Sequence, residues 1–132
     1  MHDLFIICTS GHKNALISSL AFALEAKRVS QNVAVFFVQG SLAALADRKF
    51  EWAEELKDYG EQIEESLKSE GLSADPLELL RVAKVTGVDL IACGAWTKML
   101  GVENRLPPEV RVELPSECLR MTLEAKKVLT IT

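Results

Sequence analysis

The sequence is poor in the residues that build metal centres and disulfide frameworks. Its 132 residues include two histidines and three cysteines. The cysteines, Cys8, Cys93 and Cys118, lie far apart and form no Cys-x-x-Cys pair. An odd number of cysteines at such spacings argues against a zinc site and against a disulfide framework. We therefore expect no bound metal and no cofactor.

Strong charge and long apolar runs are also missing. The net charge is −4, with no long run of one sign, and a nucleic-acid partner is disfavoured because phosphate binding needs a basic surface. The longest apolar stretches, such as "VAVFFV", are too short to span a bilayer. The first residues, "MHDLFIICTSG", carry no basic leader. These features predict a cytoplasmic protein without a membrane span.

Sequence motifs for phosphate binding and for common hydrolases are absent. The segment "TSGHKN" contains one glycine, so it matches neither the GxxxxGK[ST] loop nor the GxGxxG loop. The chain also contains no HExxH and no GxSxG. A pocket for a nucleotide or another small ligand is therefore an alternative that no phosphate-binding loop supports.

Short apolar runs alternate with segments of helical spacing along the chain. The runs predict strands at residues 3–8, 32–40, 88–93, 110–114 and 128–132. Helical spacing predicts helices at residues 15–31, 41–50, 51–70 and 115–127. A further helix is framed by Asp75 as N-cap, Pro76 in its first turn and Gly87 at its end. The helix at 51–70 is rich in Glu and Lys, which favours a solvated surface.

The predicted strands are continuously apolar, a pattern typical of parallel strands that are covered on both faces. Strands that alternate with helices indicate an α/β layered fold with right-handed crossovers. We see no repeat and no linker, so the sequence predicts a single α/β domain over residues 1–132.

Ligands of open α/β sheets bind beyond the carboxyl ends of the strands. Eight residues lie at or just beyond the ends of the first three predicted strands at that edge, and we take them as candidate site residues: Thr9, Gly11, His12, Gln39, Gly40, Cys93, Gly94 and Ala95.

Cys93 is the candidate nucleophile, and its position allows two interpretations. If "AWTKML" begins a short helix, its N-terminal amides would lower the pKa of the thiol, and Lys98 could add positive charge. Cysteine is also among the most buried residues, so Cys93 can equally be a packing residue. Cys8 and Cys118 are predicted to be core or interface residues. His12 is either a solvated loop residue or an acid, base or anion contact.

Four segments together resemble the DsrE/DsrF-like (TusD/YchN-type) sulfur-relay family. The first is a strand followed by "TSG" and the helical segment "NALISSLAFALEA". The second is "VAVFFVQGSLAALA", and the third and most specific is "GVDLIACGAWTKMLGV". The fourth is the ending "LEAKKVLTIT". The four occur in the family's order and cover nearly the whole chain.

This resemblance implies a three-layer α/β/α sandwich with a central, mostly parallel sheet of about five strands, assembled as a trimer or hexamer. It also implies that Cys93 accepts sulfane sulfur from a donor protein, holds it as a persulfide and passes it to a partner thiol. His12 and Lys13 could add positive charge there. The charged region 47–73 does not align with the family pattern, so it could cover the site or build a different oligomer. The alternative is a non-catalytic oligomeric interaction or regulatory subunit in which Cys93 is structural.

Overall fold

Five parallel strands form one sheet in the computed structural model, which describes residues 1–29 and 32–132. The strand order is β4-β3-β2-β1-β5. The strands are β1 (Leu4–Cys8), β2 (Val33–Phe37), β3 (Asp89–Cys93), β4 (Arg111–Glu113) and β5 (Lys127–Ile131). The helices are α1 (Lys13–Lys27), α2 (Gly40–Asp47), α3 (Gly60–Ser69), α4 (Pro76–Thr86), α5 (Gly94–Leu100) and α6 (Pro115–Glu124), and a 3-10 helix (Glu54–Tyr59) precedes α3.

The sheet buries its two faces against different helices. Alternate residues of a strand point to opposite faces, so Ile6, Val35 and Leu90 share the first face with α1, α2 and α4. The second face carries Phe5 and Ile91 and packs against α6. Helices on both sides of a parallel five-stranded sheet confirm the predicted fold class.

The edge strands differ from the inner ones in burial. Every residue of β2 is buried, whereas four of the five residues of β5 are exposed. The prediction of strands covered on both faces therefore holds for β1, β2 and β3 and is wrong for β4 and β5. An edge strand has one neighbour instead of two, so less of its surface is covered.

Ser41 links the carboxyl ends of β1 and β2 through its hydroxyl group. Its buried hydroxyl lies 2.8 Å from the carbonyl oxygen of Cys8 and 2.9 Å from that of Val38. The amide of Val38 also donates to the carbonyl of Cys8, at 3.2 Å. Because buried polar groups are costly to leave unpaired, these contacts fix how the two chain segments leave the sheet.

The predicted helix over residues 51–70 is wrong in its first half. Residues 51–53 are not helical: the amide of Lys13 donates to the carbonyl of Glu51, and that of Ala53 donates to Oδ1 of Asn14. The chain then forms the 3-10 helix and enters α3 at Gly60. A Cβ atom at Gly60 would lie 2.8 Å from Nε1 of Trp52. Tertiary contacts with the start of α1 therefore override the helical propensity of this segment.

Other element boundaries differ by a few residues. α2 ends at Asp47 rather than near residue 50, because Arg48 adopts a left-handed conformation with φ 54°. The last helix ends at Glu124, since Lys127 already pairs with Leu4 in the sheet. α1 begins at Lys13, and the last two residues of the predicted helix, 30 and 31, lie outside the described residues.

The predicted start and end of α4 are confirmed. The Asp75 carboxylate accepts a hydrogen bond from the amide of Leu77 at 3.0 Å, and Pro76 opens the helix. Gly87 ends it with φ 100°, a conformation that favours glycine. None of the helices in the described part of the chain has the length and apolarity needed to cross a membrane.

A charged network ties the amino ends of β3 and β4 to the chain terminus. Arg111 donates two hydrogen bonds of 2.9 Å to the Asp89 carboxylate, and Nε2 of His2 lies 3.0 Å from the same group. Partial burial raises the pKa of Asp89, but the hydrogen bonds from Arg111 and His2 outweigh this effect and hold the pKa below its ordinary value.

We expect this network to make the fold sensitive to acid. The lowered pKa of Asp89 means that its contribution to stability is present above the unfolded pKa of about 3.9 and is lost as the pH falls through the folded value. Asp89→Asn should therefore be less stable than the parent chain at neutral pH, and its stability should decline less on acidification. Urea unfolding measured across the acidic range checks this.

Glu117→Gln is the matched control, because Glu117 pairs with Arg120 at the protein surface, where water screens ion pairs. Equal acid sensitivity of Asp89→Asn and the parent chain would contradict the role given to Asp89.

Candidate functional site

Cys93 ends an inner strand and begins a helix. It is the last residue of β3 and the N-cap of α5, with φ −66° and ψ 120°. Its side chain makes no capping hydrogen bond and belongs to the apolar cluster on the second face of the sheet. Cys93 as a residue is 8% exposed, whereas Cys8 is 0% exposed. The predicted position of Cys93, at the strand end before a short helix, is confirmed.

Gly94 allows the chain to turn directly beside β4. A Cβ atom at this position would lie 2.6 Å from the carbonyl oxygen of Glu113. Cβ atoms do not approach an oxygen so closely, so only glycine fits without a shift of the backbone. Cys93 and Glu113 are paired residues in the β3–β4 register. The close approach therefore holds Cys93 next to the end of β4.

Thr97 places a buried hydroxyl one helical turn after Cys93. The residue is 1% exposed, and within the described part of the chain its Oγ1 atom has no hydrogen-bond partner. Side chains of a helix tilt toward its N-terminus, and residues four apart lie on one face. The Thr97 hydroxyl is therefore an unused polar group on the turn that starts at Cys93.

Cys118 lies in the same apolar cluster as Cys93. It projects from α6, and its thiol donates weakly to the carbonyl of Glu113 at 3.8 Å. Burial raises the pKa of Cys118 to about 11, and negative charge on Cys93 and Glu113 adds to the effect. Cys118 is 4% exposed, so of the two predicted alternatives, core or interface, the structure places it in the core.

Gln39 and Gly40 lie beside the Cys93 turn. Val38 shares the apolar cluster of Cys93, and α2, which Gly40 opens, packs against α5. Gln39 has φ 56° and ψ −126°, a backbone conformation that is strained for a residue with a side chain. Such strain is often held at functional sites.

The end of β1 lies farther away, because β2 separates β1 from β3. The Gly11 backbone touches Gly40: a Cβ atom at Gly11 would lie 2.5 Å from the Gly40 carbonyl oxygen. Thr9 turns toward β5, where its amide donates to the carbonyl of Ile131 at 3.0 Å. His12 is exposed and forms the N-cap of α1. Along this edge of the sheet, the turns that contain Gly11, Gly40 and Gly94 follow β1, β2 and β3, which are neighbours in that order. Thr9 lies on the side of β1 that faces β5.

Two lysines that sequence analysis considered for the site are placed elsewhere. Nζ of Lys13 lies 2.9 Å from Oε1 of Glu64 and 5.0 Å from the centre of the Trp52 ring. These contacts hold the Lys13 ammonium group against α3 and against Trp52 in the segment that precedes it. Lys98 lies on the exposed surface of α5.

The charged region 47–73 covers the β1–α1 turn. An open cavity of about 440 Å³ between them is lined by Gly11, His12, Lys49, Phe50 and Glu51, and Cys93 is not among these lining residues. Within the described residues, no group of three His, Cys, Asp or Glu side chains is placed to hold a metal ion.

Comparison with known proteins supports the fold. The crystal structure of the YchN protein from E. coli matches with a TM-score of 0.64, covering 99% of this chain and 100% of that chain. Sequence identity is 17%, at which such a match establishes the fold alone. The fold that the resemblance implied is thereby confirmed. No family model matches the sequence, and no curated protein matches it.

Sequence reasoning missed the two residues that the structure adds around Cys93. Thr97 follows Cys93 by four positions, a spacing that places both on one face of a helix once α5 is recognised. Cys118 was predicted to be a core or interface residue without a link to Cys93, because no local pattern connects β3 with α6. The contact depends on β4, which brings the two elements together.

We expect Cys93 to be alkylated faster than Cys8 and Cys118. Burial raises the pKa of both Cys8 and Cys118, so both stay in the unreactive thiol form at neutral pH. Brief treatment with iodoacetamide followed by peptide mass spectrometry measures the order. Cys93→Ser should lose the fast phase, and Cys8→Ser should keep it. Faster labelling of Cys8 or Cys118 would contradict the assignment.

Proposed function

We propose that this chain carries sulfane sulfur as a persulfide on Cys93 and passes it to a partner thiol, as a sulfur-relay protein of the cytoplasm. The observation that carries the proposal is the position of the thiol. Cys93 ends an inner parallel strand at the edge where ligands of α/β sheets bind. The YchN-like fold is consistent with this assignment, and the residues around Cys93 supply the chemical argument.

The side chains around Cys93 are apolar, which suits a sulfur atom that is bound to the cysteine and must be kept away from water. Ala95 and Trp96 pack against the apolar cluster that contains the thiol. Apolar walls keep water away from a reactive intermediate and so protect it from hydrolysis. Cys93 keeps 8% of its surface exposed, so in this proposal a partner reaches it at the end of the strand while its apolar neighbours shield the persulfide.

Thr97 supplies the polar contact in this proposal. A persulfide extends one atom beyond the cysteine sulfur and carries negative charge when ionised. The buried Thr97 hydroxyl lacks a partner in the described structure, and a donor that is already buried costs no new desolvation when it binds an anion. We assign it to the terminal sulfur. Gly94, Ala95, Gln39 and Gly40 are the residues that a donor or acceptor protein would contact first.

Sulfur loading tests the proposal directly. After brief exposure to glutathione persulfide and an acid quench, the Cys93 peptide should gain about 32 Da, the mass of one sulfur atom. Cys93→Ser should gain nothing, and Cys8→Ser, the matched control, should load like the parent chain. Labelling of Cys8 or Cys118 in place of Cys93 would show that the carrier assignment is wrong.

The second candidate function is a non-catalytic oligomeric or regulatory subunit. It is favoured by the outer surface of α6, where Leu119 is 60% exposed and Leu123 is 75% exposed. These residues are four positions apart and share one face of the helix. Adjacent exposed apolar side chains that form a patch are a common feature of protein contacts. We propose that a second copy of this chain covers them in a homotrimer or homohexamer, a state compatible with either function.

Sedimentation velocity tests the assembly. We expect the parent chain to sediment as an oligomer at micromolar concentration, and Leu119→Glu/Leu123→Glu to sediment as a monomer, because burying two carboxylates in an apolar contact is unfavourable. Val85→Glu is the matched control: Val85 is 84% exposed on α4, on the other side of the sheet. A monomeric parent chain, or a control that dissociates as fully as the double variant, would refute this interface.

A further inference from the structure

Cys93 and Cys118 point into the same apolar layer. Cys93 lies on the second face of the sheet together with Ile91, two positions before it in β3. Cys118 and Met121 form the inner face of α6, which packs on that side. Both thiols belong to one contiguous cluster of buried side chains. Cys8 belongs to the cluster on the first face and is separated from both by the sheet.

Glu113 brings the two cysteines to one place. Its backbone pairs with Cys93 in the parallel β3–β4 register. Its carbonyl oxygen accepts the weak hydrogen bond from the thiol of Cys118 at 3.8 Å. The same oxygen faces Gly94, where a side chain would collide with it. The Cys118 thiol is close enough for charge on Cys93 to affect its ionisation.

We propose that Cys118 is a resolving thiol for Cys93. This inference rests on the proposed persulfide function and adds a second fate for the bound sulfur. When no acceptor protein collects it, the Cys118 sulfur attacks Cys93 Sγ. A Cys93–Cys118 disulfide forms, the bond between Cys93 Sγ and the terminal sulfur breaks, and the terminal sulfur leaves as hydrosulfide.

The step balances without an added oxidant. The Cys93 persulfide anion and the Cys118 thiol hold one proton and three sulfur atoms between them. The products are one disulfide and one HS⁻, with the proton of Cys118 on the departing sulfide. The sulfane sulfur is reduced by two electrons, and the two cysteine sulfurs are oxidised by the same number. Reduction by an external thiol returns the chain to its starting state.

Burial makes this second fate slow rather than immediate. Cys118 is 4% exposed and lies within the core, so few thiolate ions form and the attack competes poorly with a docked acceptor. A carrier with such a thiol releases its sulfur to a partner when one is present and discharges it as sulfide when none comes.

Two measurements test the inference, and the first does not depend on sulfur loading. The reduced chain, treated with the thiol oxidant diamide, should lose about 2 Da, and peptide mapping should find Cys93 joined to Cys118. Cys8→Ser should form the same bond, whereas Cys118→Ala should not. Absence of the Cys93–Cys118 bond in a folded parent chain would overturn the pairing.

The second measurement follows the loaded chain over time. After removal of excess glutathione persulfide, the parent chain should lose its gain of about 32 Da, release sulfide and end as the disulfide. Cys118→Ala should keep the persulfide at least tenfold longer. A persulfide equally stable in both chains, or sulfur found on Cys118, would overturn the inference while the carrier function stands.

Sulfur loading of the parent chain and of Cys118→Ala separates the carrier proposal from the resolving-thiol proposal. If neither chain ever gains sulfur on Cys93, the carrier function is wrong and the resolving step falls with it. If Cys118→Ala loads and holds sulfur but the parent chain behaves identically, only the resolving step is wrong. Circular dichroism of each variant establishes that it is folded before either comparison is made.

Discussion

The close approach of Gly94 to the carbonyl of Glu113 is the constraint on which the rest of the site depends. A Cβ atom at position 94 would lie only 2.6 Å from the carbonyl oxygen of Glu113, so no larger residue fits without moving β3 or β4. Because β4 is held there, Cys93 ends its strand beside Glu113, α5 starts at once, and α6 is led back across the second face. The position of both thiols is thus decided by a backbone contact.

Much of the fold could be predicted from the sequence because its signals are local. Continuous apolar runs marked β1, β2 and β3, and Asp75, Pro76 and Gly87 framed α4 through N-cap and C-cap chemistry that needs no tertiary information. The region from Glu51 to Gly60 was predicted less well. Its conformation depends on Asn14, Lys13 and Trp52, and contacts between separate segments leave no periodic pattern in the sequence.

The candidate site shows the same division. The strand end at Cys93 and the turn at Gly94 could be located from residue order alone. The link to Cys118 could not, because it arises where α6 crosses the sheet. Charge was the least predictable property: Lys13 follows the site loop in sequence, yet its ammonium group pairs with Glu64 and stacks on Trp52. Residue proximity along the chain gives little information about where a flexible charged side chain ends.

Helix α6 has two sides with different neighbours, one carrying Cys118 and Met121 inward and the other carrying Leu119 and Leu123 outward. A helix that lifts away from a sheet exposes both sides at once. A partner that binds the outer side of α6 only while the helix is packed therefore stabilises that packing, by an amount that grows with the partner's concentration and affinity. Access to the sulfur atoms beneath α6 is thermodynamically linked to what covers its leucines.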